Sequence, residues 1–234
     1  MKTLIIVPAF NEADSIGQVL NEIQSLERKF DVVVINDGST DGTQEAATHA
    51  GALVLTHPIN LGIGAAMQTG FRYAVHHGYE CAVQVDGDGQ HPAGEIPKLV
   101  DALMTTGADV VIGSRFLERK GFQSTFSRRI GIRYFELLHR MLTHVRITDS
   151  TSGFRALSGR ALAIAERHYP DEYPEAESVV LFAKSGLLIH EIPILMRERQ
   201  GGISSIGRFA GLYYMFKVTL AIMFTHLRVS KGRK

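Results

Sequence analysis

Apolar runs typical of buried strands alternate with stretches typical of helices over the first half of the chain. Thr3–Val7, Asp31–Ile35 and Ala52–Thr56 predict three strands. Ser15–Leu26 and Thr40–Ala50 lie between them and predict two helices, the first from apolar residues at helical spacing. The chain therefore begins with a regular alternation of strand and helix.

The same alternation continues up to about residue 112. Cys81–Val85 and Asp109–Ile112 predict two further strands, and Gly64–His76 and Ile96–Thr105 predict two further helices. Continuous apolar strands that alternate with helices predict a mostly parallel sheet with helices on both faces. From about residue 114 the chain becomes rich in Gly, Arg and Ser before further helical patterns, and we expect this half to elaborate the same domain.

Length and composition fit one large α/β domain or one domain with an appendage, since the chain has 234 residues of which 45% are hydrophobic. The formal net charge of +1 excludes the global positive field expected of a nucleic-acid-binding protein. Cys81 is the only cysteine, so no intramolecular disulfide can form. Its place beside an apolar run indicates a core residue and not a catalytic thiol.

The two ends of the chain differ in character. The first seven residues carry one lysine and an apolar run that ends at Pro8, without the features of a signal peptide, so we expect a first strand in a cytoplasmic protein. Residues 209–227 are strongly apolar but contain Lys217 and are flanked by Arg208 and Arg228. A charge near the middle of such a segment favours a helix that lies in the membrane interface over one that spans the bilayer.

Polar and acidic residues directly follow three of the predicted strands, at residues 8–12, 36–42 and 86–92. Parallel sheets bind ligands beyond the carboxyl ends of their strands. We therefore expect these three segments to meet at one edge of the sheet and to form the functional site.

Asp86 and Asp88 place two carboxylates on one short turn with Gly87 between them. Two like charges this close are costly unless a cation neutralises them. Oxygen ligands suit Mg²⁺ or Mn²⁺, with Gln90 as a further oxygen donor and substrate phosphates completing the coordination. A solvated turn is the alternative, because Asp and Gly are common turn residues. His91 could also contact the metal or the donor.

The segment 36–42 allows two interpretations that can hold together. Ser39 or Thr40 could cap the following helix, and Asp41 could assist. Asp37 needs another role, and a carboxylate at the end of a strand can accept hydrogen bonds from a nucleobase or a ribose. The chain lacks the glycine-rich loops of dinucleotide-binding and P-loop enzymes, so those classes are disfavoured.

Eight basic residues occur between positions 115 and 146, against Glu118 and Glu136. A solvated helix face is one interpretation; an anionic acceptor or an anionic membrane surface is the other. The basic residues are Arg115, Arg119, Lys120, Arg128, Arg129, Arg133, Arg140 and Arg146.

The ordered set of motifs resembles the family-2 glycosyltransferases, and most closely their dolichol- or polyprenyl-phosphate hexosyltransferase branch. The motifs stand at residues 8–12, 36–43, 60–62, 86–92 and 113–115, and continue at 148–155 and 199–205. The resemblance extends to about residue 206. It implies a GT-A-type α/β fold, a nucleotide-diphosphate-sugar donor and inverting transfer of a hexose. We expect residues 1–206 to form the transferase domain and residues 207–234 a C-terminal amphipathic helix for docking.

The resemblance also implies roles for residues on the donor side. Pro8, Phe10 and Glu12 would line the nucleoside pocket, and Asp37 would contact the base. Asp86 would lie near the ribose and the metal. The metal ligands would be Asp86, Asp88 and Gln90.

On the acceptor side the resemblance implies phosphate-binding cations and one acid. Arg115 and Arg199 would face phosphate groups, with Ser204 beside the acceptor. Asp149 stands where the family has an acidic residue near the acceptor. The family's arginine-rich helix aligns poorly with this chain, so Arg128, Arg129 and Arg133 remain alternatives for a phosphate contact. Glu175 or Glu177 could also serve on this side.

Three functions follow as hypotheses. The first is transfer to a polyprenyl phosphate at the cytoplasmic face of the membrane, by a protein that docks on the bilayer or on a small membrane protein. Asp88, Asp149, Arg115 and Arg199 would be its catalytic residues. The second is transfer to a sugar hydroxyl of a surface polysaccharide, with Asp149 as the base. The third is a non-catalytic nucleotide-sugar-binding subunit.

Overall fold

The computed structural model describes residues 1–118, 126–197 and 210–231. Side chains are described for the same residues except 126–130, 210–212 and 230–231. Arg199 and Ser204, predicted on the acceptor side, lie outside the described residues, as do the side chains of Arg128 and Arg129.

A seven-stranded sheet forms the centre of the molecule, with the strand order β3-β2-β1-β4-β6-β5-β7. The five strands predicted from the first half all occur, and two more come from the second half. The strands are β1 Thr3–Ala9, β2 Asp31–Asn36, β3 Leu53–Thr56, β4 Cys81–Gln84, β5 Val110–Ser114, β6 Arg155–Ser158 and β7 Ile189–Pro193.

Eight α-helices accompany the sheet within the described residues. The four helices predicted from the first half occur within three residues of their predicted ends. The helices are α1 Ala13–Gln24, α2 Thr43–His49, α3 Ile63–His76, α4 Ile96–Thr106, α5 Phe126–Thr143, α6 Gly159–His168, α7 Pro174–Lys184 and α8 Ala210–Lys231.

Alternate side chains of the central strands enter two cores, one on each face of the sheet. On β1, Leu4 and Ile6 pack against α3, α6 and α7. Ile5 and Val7 point the other way and pack against α1, α2 and α4. This arrangement confirms the prediction of a mostly parallel sheet covered on both faces.

One strand departs from the parallel arrangement. β6 is inserted between β4 and β5 and runs antiparallel to both, so that Arg155 stands opposite Gln84 on one side and Ile112 on the other. The insertion brings the start of β6 beside the end of β4. The loop that precedes β6 therefore enters the predicted functional site.

The last helix packs on the domain through one face. Val218 and Ile222 of α8 are fully buried against Val180 of α7 and Phe135 of α5. None of the helices described, α8 included, combines the length and the apolar character needed to span a membrane. The predicted domain boundary at residue 206 falls outside the described residues and stays a prediction.

Candidate active site

The loops after β1 and β2 are held together by side-chain-to-backbone hydrogen bonds. Asn11 has φ of 54°, in the left-handed region that asparagine tolerates better than most residues. Its backbone N–H donates to Ser39 Oγ (3.0 Å), and its Oδ1 accepts from the Thr40 N–H (2.9 Å). Ser39 and Thr40 therefore join two strand ends. The prediction that one of them caps α2 was wrong, because α2 begins at Thr43 after Gly42, which makes no side-chain cap.

Asp37 is buried at the end of β2 and organises the loop that follows β3. Its Oδ1 accepts from the Leu61 N–H (2.9 Å) and lies 2.7 Å from His57 Nδ1, while Oδ2 accepts from the Gly62 N–H (2.8 Å). His57 directly follows β3, so the strand-end rule could have identified it. The predicted contact between Asp37 and a base stays a prediction.

The three predicted nucleoside-binding residues, on β1 and in the loop after it, differ in burial. Pro8 is buried within β1, whereas Phe10 is 44% exposed just beyond it. Glu12 accepts a hydrogen bond from Ser15 Oγ (2.9 Å) and immediately precedes α1. An exposed aromatic ring can supply a flat apolar surface to a base, and the nucleoside-binding role of these three residues stays a prediction.

Asp86, Asp88 and Gln90 follow β4 on the same edge, next to the ends of β1 and β2. Asp86 is 32% exposed, and Asp88 Oδ1 accepts from the Gln90 backbone N–H (3.0 Å). In the described part of the chain no group of three or more His, Cys, Asp or Glu side chains could hold a metal by itself. Two carboxylates and an amide oxygen would leave coordination positions for a diphosphate, as Mg²⁺ and Mn²⁺ sites commonly do.

His91 lies beneath this loop and is almost completely buried. Its ring stacks on Phe154 with centroids 4.8 Å apart, and its Nδ1 is 3.7 Å from Asp86 Oδ2. Burial lowers the pKa of His91, although the charges of Asp86 and Asp88 oppose this shift. The buried, neutral imidazole of His91 packs against the Phe154 ring and supports the loop that carries Asp86 and Asp88.

Arg115 and Asp149, 34 residues apart, form a buried ion pair at the end of β5. Arg115 Nε donates to Asp149 Oδ2 and Nη2 donates to Oδ1, both at 2.6 Å, and the Arg115 backbone N–H also donates to Oδ2. Burial disfavours the guanidinium charge, but the hydrogen bonds and charge of Asp149 outweigh it and raise the pKa of Arg115. Because both oxygens of Asp149 already accept from Arg115, the geometry favours a positioning role for this acid over a role as base.

A second acid fixes the loop that carries Asp149. Glu191, on β7, accepts from the backbone N–H groups of Thr148 (2.7 Å) and Asp149 (2.9 Å). Burial raises the pKa of Glu191, and the nearby Asp149 adds to the shift. This support was not predicted, since β7 itself was not predicted.

The structure confirms the interpretation of Cys81 as a core residue. It is fully buried on β4, and burial raises the pKa of its thiol to about 12. A thiol with such a pKa stays protonated at neutral pH and is a poor nucleophile.

Comparison with known proteins identifies the family to which this chain belongs. The model of the family named Glycosyl transferase family 2 matches residues 4–163. An undecaprenyl-phosphate mannosyltransferase from Micrococcus luteus is 32% identical over 218 residues, covering 88% of each chain. A polyprenol monophosphomannose synthase from Mycolicibacterium smegmatis is 29% identical over 227 residues, covering 93% of this chain and 85% of the relative.

A solved structure shares the fold. Glucosyl-3-phosphoglycerate synthase from Mycobacterium tuberculosis, crystallised with Mn²⁺, UDP-glucose and phosphoglyceric acid, aligns with a TM-score of 0.72 at 20% identity. The alignment covers 97% of this chain and 79% of that one, which confirms the predicted GT-A-type fold. Since the family model matches well over half of the residues, we conclude that this protein is a glycosyltransferase of family 2 and resembles its polyprenyl-phosphate branch.

Proposed function

We propose that the protein transfers a hexose from a nucleotide-diphosphate sugar to a polyprenyl phosphate, with inversion and with a divalent metal. One observation carries the proposal: the Asp86–Asp88 turn lies between two sets of groups on the same sheet edge. Asp37 lies on its β1–β2 side, and Arg115 lies on its β5 side. This order suits a donor whose nucleoside and diphosphate bind before an anionic acceptor.

The donor half of the site follows from the side chains around Asp37. Phe10, Pro8 and Glu12 would hold the nucleoside, and Asp37 would accept from the base. Asp86, Asp88 and Gln90 would hold Mg²⁺ or Mn²⁺, which, when bound, stabilises the negative charge that develops on the leaving diphosphate. The protein's own contribution is to hold both substrates in line and to exclude water.

The acceptor half of the site favours a phosphate over a hydroxyl. A hydroxyl acceptor needs a base, and Asp149 is fully buried with both oxygens engaged by Arg115. A phosphate acceptor is already anionic and needs only cations that bind it. Arg115, with Arg199 and Ser204, would supply these contacts, and the phosphate would compete with Asp149 for the guanidinium of Arg115.

The lipid part of such an acceptor requires contact with a membrane. The outer faces of α5 and α8 expose large apolar side chains, and exposed Arg133, Arg140, Lys217 and Arg228 lie among them. The hydroxyl of Tyr134 on α5 lies 3.1 Å from that of Thr219 on α8, so the two helices adjoin. This face would rest on an anionic lipid surface at the cytoplasmic side.

The decisive experiment incubates the protein with GDP-mannose, UDP-glucose or UDP-N-acetylglucosamine and undecaprenyl phosphate, with Mn²⁺ or with chelator. We expect one glycolipid product of inverted configuration, resolved by mass spectrometry and NMR, and its loss with chelator. Asp88→Asn should lower turnover at least about 100-fold, because the leaving-group charge loses its main stabilisation.

Contrary outcomes separate the alternatives. Transfer to oligosaccharide hydroxyls but not to the lipid phosphate would favour the polysaccharide hypothesis. Tight donor binding without turnover of any donor would favour a non-catalytic subunit.

A further inference from the structure

The carboxylate of Asp37 is held by three hydrogen bonds from the protein itself. Oδ1 accepts from the Leu61 backbone N–H (2.9 Å) and lies 2.7 Å from Nδ1 of His57, while Oδ2 accepts from the Gly62 backbone N–H (2.8 Å). All three groups belong to the segment 57–62, which joins β3 to α3. This one short segment therefore fixes the orientation of the acid that is predicted to contact the base.

Two glycines allow the segment to come this close to Asp37. A Cβ added at Gly38 would lie 2.4 Å from the carbonyl carbon of Ile59 and 2.6 Å from the backbone nitrogen of Asn60, so the segment rests directly on the Gly38 backbone. Gly62 has φ of 93°, in the region that residues with a side chain rarely adopt. The close approach of the segment is thus built into the backbone.

His57 is the side-chain donor of the three. A carboxylate carries no proton, so the Nδ1–H of His57 donates to Oδ1 of Asp37. The other ring nitrogen, Nε2, lies 2.9 Å from the hydroxyl of Thr69 on α3. Because a hydroxyl can donate as well as accept, Nε2 has a partner whether or not it carries a proton. The imidazole is therefore anchored at both nitrogens and remains on Asp37.

These contacts use most of the hydrogen-bonding capacity of Asp37. A carboxylate has about four lone-pair positions, two on each oxygen. Oδ1 uses both of its positions, for Leu61 and His57, and Oδ2 uses one, for Gly62. The side chain of Asp37 keeps only 5% of its surface exposed. One further donor can be accepted on Oδ2, but a pair of donors that needs both oxygens cannot.

The nucleobases differ in how many N–H groups they present side by side. Uracil has one imide N–H between two carbonyl groups. Guanine has a ring N–H next to an amino group, a pair that matches both oxygens of one carboxylate. At Asp37 the second N–H of guanine would meet Oδ1, whose positions are occupied, and would stay unpaired in a buried place. Burying an unpaired donor is costly, so the site favours a base with a single N–H.

We propose that Asp37, with its Oδ1 occupied by His57 and Leu61, selects a donor whose base carries a single imide N–H, as uracil does, and disfavours guanine. The inference rests on the proposed function and deepens it by naming the class of nucleotide. His57 is a positioning residue in this scheme, since it acts on the base through Asp37. The corresponding donor is a uridine-diphosphate sugar.

The test measures binding of four nucleoside diphosphates by calorimetry, with Mn²⁺ and without acceptor. UDP is compared with N3-methyl-UDP, which lacks the imide N–H, and GDP is compared with inosine diphosphate, which lacks only the amino group. The second pair separates the number of N–H groups from the size of the base. His57→Phe keeps a ring but removes the donor, and His57→Asn is the matched variant that keeps an N–H donor. Thermal melting would verify that both variants fold.

We expect wild type to bind UDP at least about tenfold more tightly than either GDP or N3-methyl-UDP, because each of these leaves a group unpaired. Inosine diphosphate should bind at least about threefold more tightly than GDP. His57→Phe frees a position on Oδ1, so GDP should then bind at least as well as inosine diphosphate, while the affinity for UDP stays within about threefold. His57→Asn should keep the wild-type order.

The wild-type series tests the inference even if a variant fails to fold. Tighter binding of GDP than of inosine diphosphate, or equal binding of UDP and N3-methyl-UDP, would overturn it. A loss of all four affinities by the same factor in His57→Phe would show that His57 has a structural role alone. Failure to bind any nucleotide would overturn the proposed function as well, whereas a glycolipid formed from GDP-mannose and from no UDP-sugar would contradict only the selection of the base.

Discussion

Asp86 occupies a position that depends on the absence of a side chain at Gly153. A Cβ added at Gly153 would lie 3.0 and 3.1 Å from the two carboxylate oxygens of Asp86 and 2.8 Å from Gln84 Nε2. These distances are shorter than ordinary contacts, so the flexible side chains would have to move. The position of Asp86, one of the predicted metal ligands, is therefore constrained by a glycine 67 positions away in the chain.

We expect Gly153→Ala to lower turnover by about 10- to 100-fold, because a displacement of a catalytic group by a fraction of an ångström is costly. Thermal melting would measure stability in parallel, because Gln84 Nε2, the atom nearest the added Cβ, belongs to a buried side chain. Steady-state kinetics at several Mn²⁺ concentrations would measure the effect. Gly94→Ala, where an added Cβ meets nothing within 4 Å, is the control. Unchanged kinetics in Gly153→Ala would show that Asp86 has room to adjust.

At the scale of elements, Arg155 joins β6, the loop before it and the start of α7. The N–H groups of its guanidinium donate to Ser150, Ser152, Glu175 and Ser178, so one side chain connects all four residues. A planar guanidinium has the geometry to do this, whereas an ammonium group is a single point with three donors. Arg155, at the start of the antiparallel strand β6, thereby holds the first turn of α7 against the sheet.

Arg155→Lys should lower the free energy of unfolding by about 3 kcal/mol, because at least two buried carbonyl oxygens lose their donor at about 1–3 kcal/mol each. Urea unfolding monitored by circular dichroism would measure it. Arg160→Lys is a suitable control: Arg160 is 71% exposed in its ion pair with Asp109, so the change should cost less than about 1 kcal/mol. Equal stability of the two variants would contradict the assigned role of Arg155.

At the scale of the whole molecule, the outer faces of α5 and α8 form a broad apolar surface. Phe216 and Phe224 of α8 are 62% and 67% exposed, and Leu137 and Met141 of α5 are 58% and 68% exposed. Soluble monomers rarely expose contiguous apolar patches of this kind without an interaction partner. The buried face of α8 holds Val218 and Ile222, so the exposed face can be changed without removing the packing.

We expect the double variant Phe216→Ser, Phe224→Ser to bind vesicles of phosphatidylglycerol and phosphatidylcholine at least about tenfold more weakly than wild type, because each ring loses apolar area buried in lipid. Binding by wild type should weaken with salt, since the surrounding cations contribute. Sedimentation with vesicles would measure both. Leu188→Ser, an exposed leucine before β7, should bind like wild type. Equal binding of both variants would contradict docking through this face.

Much of the fold was predictable because local patterns decided it. The strands from β1 to β5 and the helices from α1 to α4 are continuous or periodic apolar segments, so the local pattern alone indicates the type of each element. The four-residue β6 carries no comparable signal, because Arg155–Ser158 is held by pairing with strands far away in sequence. The same holds for β7, an edge strand with one paired side.

The amino-acid sequence by itself determined which residues stand at the ends of the parallel strands, and hence that Asp37, Asp86 and Asp88 share one edge, because chain order and strand direction are local properties. Only the tertiary structure decided that Asp149 is engaged by Arg115, and that Gly153 lies against Asp86. These pairings join residues tens of positions apart through an antiparallel strand. Their partners depend on which segments pack together, a choice that no single stretch of sequence encodes.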